Sequence, residues 1–165
     1  MHILIVDDNP DDVELFRLAL LECRGEHQLS VATDGVEALA FLRQEEPFAG
    51  VARPDIVLLD LNMPRKDGRE VLAEVKVDEN LNTIPFIVLT SSDLPEDVLT
   101  VYRLQANCYI QKPVDFNEFI RIAKVVEDFW FGITKLPSDL SLRRSPLVRL
   151  RHQIPKSLAT GSSGT

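Results

Sequence analysis

Five short apolar runs, at residues 2–6, 28–32, 55–60, 85–90 and 107–110, alternate with stretches whose apolar residues recur at helical spacing, 10–23, 35–45, 68–76, 95–105 and 115–131. Runs of four to six residues are strand length, and the stretches between them are long enough for helices. Three of the runs hold no polar residue over 3–6, 56–59 and 86–89. A strand that is apolar on both faces has to be covered on both faces, which is the situation of a parallel strand between two helical layers. Right-handed crossovers then predict a doubly wound α/β fold with a five-stranded sheet. The first helix has a marked start, with Asn9 or Asp11 available as cap and Pro10 in the first turn, where a missing N–H costs little. The one long connection, 44–54, contains Pro47 and Gly50.

Charge divides the chain unevenly. Residues 1–134 carry 12 Lys+Arg and 25 Asp+Glu, a balance of −13, whereas 135–165 carry 6 and 1, a balance of +5. The sequence therefore divides into a body over 1–134 and a basic, proline-containing tail over 135–165, with Arg143, Arg144, Arg149, Arg151 and Lys156. Such a tail can lie on an acidic body as readily as on nucleic acid. No apolar run approaches the ~18 to 20 residues that cross a bilayer, and the opening Met1–Asp8 stretch has no basic leader. A cytoplasmic protein without a membrane span is expected. Cys23 and Cys108 both sit in apolar patterns and are expected to be reduced.

In open parallel sheets ligands bind beyond the carboxyl ends of the strands. Here those ends carry Asp7 and Asp8, then Asp60, then Thr90 and Ser91, and finally Lys112 and Pro113. Taken singly, Asp7 or Asp8 reads as a helix cap, Thr90 as a strand-end hydroxyl and Lys112 as a surface lysine. Asp60 closes a wholly apolar run and is harder to leave unpaired. Together they place three carboxylates, a hydroxyl and an ammonium on one rim. Clustered carboxylates repel strongly at low dielectric unless something neutralises them. A hard cation such as Mg2+ does so with oxygen ligands. Asp60 then becomes a nucleophile facing a site able to stabilise a phosphoryl group, with Thr90 and Lys112 supplying the remaining charge and hydrogen bonds. No imidazole lies in these loops, and an ionised carboxylate needs no general base.

The order Asp7-Asp8, then Leu58-Leu59-Asp60-Leu61-Asn62-Met63-Pro64 with Asp67-Gly68, then Leu89-Thr90-Ser91, then Tyr109-Ile110-Gln111-Lys112-Pro113 resembles the receiver domains of two-component response regulators, over roughly residues 1–130. The resemblance implies a flavodoxin-like (βα)5 fold with strand order 2-1-3-4-5. It implies Asp60 as phosphoacceptor and Asp8, Asp60 and the Asn62 carbonyl as Mg2+ ligands, with Asp7 acting through water. It also implies Thr90 and Lys112 on the phosphoryl group, Thr90 and Tyr109 as the switch pair, and a cis Lys112–Pro113 bond. A receiver catalyses only its own phosphorylation and dephosphorylation, taking the phosphoryl group from a sensor histidine kinase.

Further stretches are similar to single-domain regulators paired with bacterial and cyanobacterial phytochromes: the 48–54 insertion, 65–74, 106–110, and Glu127-Asp128-Phe129-Trp130 followed by Leu136-Pro137. The basic tail is longer than that group implies. No DNA-reading module fits in the last 31 residues, so output through protein contact is expected. The last helical pattern is apolar on two stripes, Phe119, Ile122, Ala123, Val126 and Trp130, and Phe116, Ile120, Val125 and Phe129. One sheet face does not cover both. A homodimer through the fourth helix, fifth strand and fifth helix, with Phe116, Ile120, Phe129 and Trp130 at the interface, is expected. The competing classes fit less well. A haloacid-dehalogenase-type phosphatase carries its nucleophile after the first strand, and a flavin binder needs small residues where Asp7–Asp12 would repel a phosphate.

Overall fold

The computed structural model describes residues 1–141. Its elements are β1 (His2–Val6), α1 (Pro10–Leu21), β2 (Gln28–Ala32), α2 (Gly35–Arg43), β3 (Ile56–Leu59), α3 (Gly68–Val77), β4 (Phe86–Thr90), α4 (Pro95–Arg103), β5 (Cys108–Gln111), α5 (Phe116–Glu127), a π-helical turn (Asp128–Ile133) and a short α6 (Pro137–Ser141). The sheet is parallel throughout, in the order β2-β1-β3-β4-β5. Each expected strand and the doubly wound order are present.

The alternation of side chains along each strand divides the core into two layers. Leu4, Val6, Val57, Leu59, Phe86 and Val88 face one way, onto Leu39 and Leu42 of α2, Val71 and Val75 of α3 and Val101 of α4. Ile3, Ile5, Ile56, Leu58, Ile87 and Leu89 face the other, onto Phe16 and Ala19 of α1 and Phe119 and Ala123 of α5. Each large apolar side chain buried this way contributes about 1.5–3 kcal/mol. β1, β3 and β4 are buried along their whole length because they lie inside the sheet, whereas the edge strands β2 and β5 are partly open.

Helix starts are set locally. Asn9 caps α1, its side chain accepting the Asp11 N–H at 3.0 Å. Asp34 caps α2, and Asp115 caps α5. Asp67 and Glu70 form a reciprocal capping box at the head of α3.

Two features depart from expectation. The final helix stops being α-helical at Glu127 and continues as the π-helical turn, closed by Thr134 N–H on the Phe129 carbonyl at 3.1 Å. The wider turn lets the consecutive Trp130 and Phe131 both pack against the second core layer while Phe129 stays exposed. The Lys112–Pro113 bond is trans, and the cis peptide among the described residues is Glu46–Pro47. The two X–Pro isomers differ by only ~0.5–1 kcal/mol, so surrounding contacts and not the dipeptide decide between them.

Leu136, two residues past the expected end of the body, is buried in the second layer. The predicted tail beyond residue 141, with all its arginines and Lys156, lies outside the described residues. Among the described residues, no helix is long and apolar enough to cross a membrane.

Candidate functional site

The strands end in register, and backbone hydrogen bonding continues one residue past them. Val6 pairs with Leu59, and the N–H of Asp60 reaches the Val6 carbonyl at 2.9 Å. Asp7 N–H reaches the Ala32 carbonyl at 3.0 Å, and Lys112 N–H reaches the Thr90 carbonyl at 2.8 Å. The residue following each of β1, β3 and β5 is therefore held on the sheet, and all of them project from one edge.

Carboxylate oxygens of Asp7, Asp8 and Asp60 lie within 4.8 Å of one another. Asp7 is 3% and Asp60 6% exposed, while Asp8 is open to solvent. The Lys112 ammonium sits among them, its Nζ 2.8 Å from Asp7 Oδ2, 2.8 Å from Asp12 Oδ2 and 2.9 Å from Asp60 Oδ2. Burial pushes the Lys112 ammonium toward deprotonation, but hydrogen bonds to Asp12, Asp7 and Asp60 outweigh it and hold its pKa above the ordinary value. Burial raises the Asp7 carboxyl, and the bond from Lys112 offsets only part of that rise. One ammonium does not balance four carboxylates, so the site still favours a cation. The donors are all oxygen, as a hard divalent ion requires. Asp8 leaves the cluster open on its solvent side, and the donor set fits such an ion.

Asp60 is aimed from both sides. Its Oδ1 accepts the Leu61 N–H at 2.7 Å and the Asn62 N–H at 3.4 Å, while Oδ2 accepts from Lys112. The loop is tight because α3 starts directly against it. Gly68 donates its N–H to the Leu61 carbonyl at 3.0 Å, and a Cβ at Gly68 would lie 2.2 Å from the Asp60 carbonyl oxygen. Thr90, fully buried at the end of the neighbouring strand, accepts the Ser92 N–H on Oγ1 at 3.4 Å. A buried carboxylate, an ammonium and two further acids thus stand on one rim beside the strand that ends in the Thr90 hydroxyl.

A family model for the response regulator receiver domain matches residues 3–124. The chain belongs to the response regulator receiver family. This receiver is similar to the response regulator Rcp1 of Synechocystis sp., with 40% identity over 136 residues, 82% of this chain and 92% of Rcp1. Among solved structures it is similar to the phosphorylated cyanobacterial phytochrome response regulator RcpA, at 44% identity and a TM-score of 0.79 over 82% of this chain and 97% of that one. The Mn2+-bound form of Rcp1 matches at 40% identity and a TM-score of 0.77, covering 82% of this chain and 98% of that one.

In this receiver Asp7, Asp8 and Asp60 lie close together with Lys112 bonded to Asp7 and Asp60, while Thr90 ends the neighbouring strand and meets Lys112 through its backbone carbonyl. Tyr109 lies half-buried against the first core layer, its hydroxyl donating to the Ser92 carbonyl at 2.7 Å. Of the residues expected at an interface, Phe116 and Phe129 are exposed, whereas Ile120 and Trp130 are half-buried and pack on the second layer. Three participants escaped the sequence reading. Asp12 reaches Lys112 from the first turn of α1, and the sequence offers no signal that separates it from the other acids of that turn. Arg69 on α3 binds Asp97 on α4, with Nη2 at 2.5 Å from Oδ1, and Asp97 Oδ2 accepts the Ser92 hydroxyl at 2.5 Å. This network ties the loop between β4 and α4 to α3 and α4, and nothing in the local sequence marks it.

Proposed function

We propose that this receiver is a single-domain response regulator of a two-component phosphorelay, accepting a phosphoryl group on Asp60 from a phosphohistidine of a phytochrome-type sensor histidine kinase. The observation that carries this reading is the meeting of Asp7, Asp8 and Asp60 around the buried Lys112 ammonium. The similarity to Rcp1 and RcpA supports the phytochrome assignment, and the Mn2+-bound form of Rcp1 supports a divalent ion.

Asp8, Asp60 and the Asn62 carbonyl would hold Mg2+, with Asp7 near enough to act through water, and the ion would supply positive charge to the transferring group. In the transfer a carboxylate oxygen of Asp60 attacks phosphorus, a P–O bond forms, the P–N bond breaks, and the electron pair leaves with the imidazole. Lys112 neutralises a second phosphoryl oxygen and the Thr90 hydroxyl donates to a third. Drawing Thr90 toward the phosphoryl group frees the space into which Tyr109 turns. Phosphorylation then biases two states of the α4-β5-α5 face by its differential contacts.

Output runs through protein contact in the cytoplasm, without DNA, by a homodimer over α4, β5 and α5. Val125 on α5 (60% exposed) and Phe129 in the π-helical turn (49%) leave an apolar patch at the end of α5 that a second copy covers, with Phe116 (38%) exposed at its start. A monomer at micromolar concentration by sedimentation, with and without phosphodonor, excludes the dimer.

The function is tested by phosphotransfer from a phytochrome-type kinase in Mg2+ and in chelator. Label that is released by alkali and by hydroxylamine is expected on the wild-type chain in Mg2+ only and not on Asp60→Asn. Undiminished label on that variant overturns the assignment.

A further inference from the structure

At the other end of the strands from Lys112, the end of α1, the loop into β2 and the last turn of α5 meet. There Cys23, His27 and Glu127 bring a sulfur, an imidazole nitrogen and a carboxylate oxygen within 4.8 Å of one another. The site is built rather than open. The His27 side chain is 4% exposed and that of Glu127 13%. Glu127 is fixed by the Gly25 N–H at 2.6 Å and the Arg24 N–H at 3.1 Å, the kind of outer support that orients a metal ligand. At Gly25 a Cβ would lie 2.8 Å from Glu127 Oε1 and 3.3 Å from the His27 ring, so a side chain there would displace the Glu127 carboxylate. His27 Nε2 lies 3.0 Å from Glu127 Oε1, but Nδ1 is buried without a hydrogen-bond partner among the described residues. A buried ring nitrogen with nothing to bond to costs desolvation that a ligand would offset. Beside the triad opens a cavity of about 210 Å³ whose lining includes Cys23, Glu127 and Asp128.

We propose that Cys23, His27 and Glu127 form a second metal site, selective for Zn2+, that clamps the end of α5 to the α1–β2 loop. A thiolate with an imidazole and one carboxylate suits zinc and not magnesium, so the two sites of this receiver take different metals. Three protein ligands leave a fourth, tetrahedral position, and the cavity admits water to it. Zinc–ligand bonds of ~2.0–2.3 Å require the three ligand atoms to draw in by about 1 Å. Binding converts the thiol to a thiolate and releases one proton to solvent. The clamp lies where α5 passes into the π-helical turn carrying Phe129 and Trp130, and so it steadies the segment proposed to signal. The site itself does not depend on the phosphorelay reading.

The test is titration of the full chain with Co2+ in excess Mg2+, followed by displacement with Zn2+. One equivalent of Co2+ is expected to give a sulfur-to-cobalt charge-transfer band, which carboxylate sites do not produce, and Zn2+ is expected to bleach it. Cys108→Ser keeps the band and Cys23→Ser loses it. His27→Gln weakens binding at least ten-fold, read by competition with a chromophoric chelator. Cys23→Ser preserves side-chain shape, and its circular dichroism separates loss of the site from loss of the fold. No band in the wild-type chain, or a band that survives in folded Cys23→Ser, overturns the proposal.

Discussion

Lys112 Nζ lies 2.9 Å from Asp60 Oδ2 across 52 residues of sequence, and the same nitrogen binds Asp7 and Asp12. The Lys112 side chain is 7% exposed, and its ammonium stands at the centre of the charge balance. It is the counter-charge that lets the acids be buried.

Replacing it therefore exposes how much the acids repel. Lys112→Met leaves Asp7, Asp12 and Asp60 without their cation, and removing one partner of a buried ion pair costs about 3–5 kcal/mol. Urea unfolding in chelator is expected to show a loss of that order, and millimolar Mg2+ should restore more stability to the variant than it adds to the wild type. Equal stability in chelator would show that Lys112 is not the balancing charge.

The loop after Thr90 and the cap of α2 have their own acid dependence. The hydrogen bond from Arg69, helped by the Ser92 hydroxyl, holds the Asp97 carboxyl below its ordinary value of 3.8, and bonds from Glu37 N–H and Arg65 prevail over burial to do the same for Asp34. A carboxylate whose folded pKa is depressed contributes stability that is complete above its unfolded value and is lost as pH falls through the folded one. Urea midpoints are expected to be flat with respect to these groups above pH ~4 and to fall below it. Asp97→Asn should lower the plateau by about 2 kcal/mol, as expected for a hydrogen bond to a charged group, and flatten the acid limb. An unchanged acid limb would remove Asp97 from this account.

Gly68→Ala places a methyl 2.2 Å from the Asp60 carbonyl oxygen, against backbone that must move. Overpacking of this kind costs about 1–3 kcal/mol. The variant should lose stability by that amount in denaturant titration, and its phosphotransfer rate should fall further than Gly25→Ala lowers it, because only Gly68 abuts the acceptor loop.

How much of this was legible depended on the range of the interaction. Asp60 was readable because a charge ending the run Ile56–Leu59 is a local anomaly, and the strand ends were readable because apolar runs stop where the sheet does. The trans Lys112–Pro113 bond was not, since the small intrinsic difference between isomers leaves the choice to contacts. Nor was the π-helical turn, where packing of Trp130 and Phe131 prevails over helical spacing. Asp12 was passed over as one more acid in an acidic helix start, although it meets Lys112 100 residues away.

The amino-acid order alone settled the alternation of strands and helices, the apolar faces that divide into two layers, and which side chains stand at the strand ends, because periodicity and capping act over a few residues. Only the folded chain decided which charge answers which. The pairing of Lys112 with Asp12, the link from Arg69 through Asp97 to Ser92, and the meeting of Cys23 with Glu127 all join segments far apart in the chain. Sheet order and helix packing bring those segments together, and no local propensity encodes a distance between them.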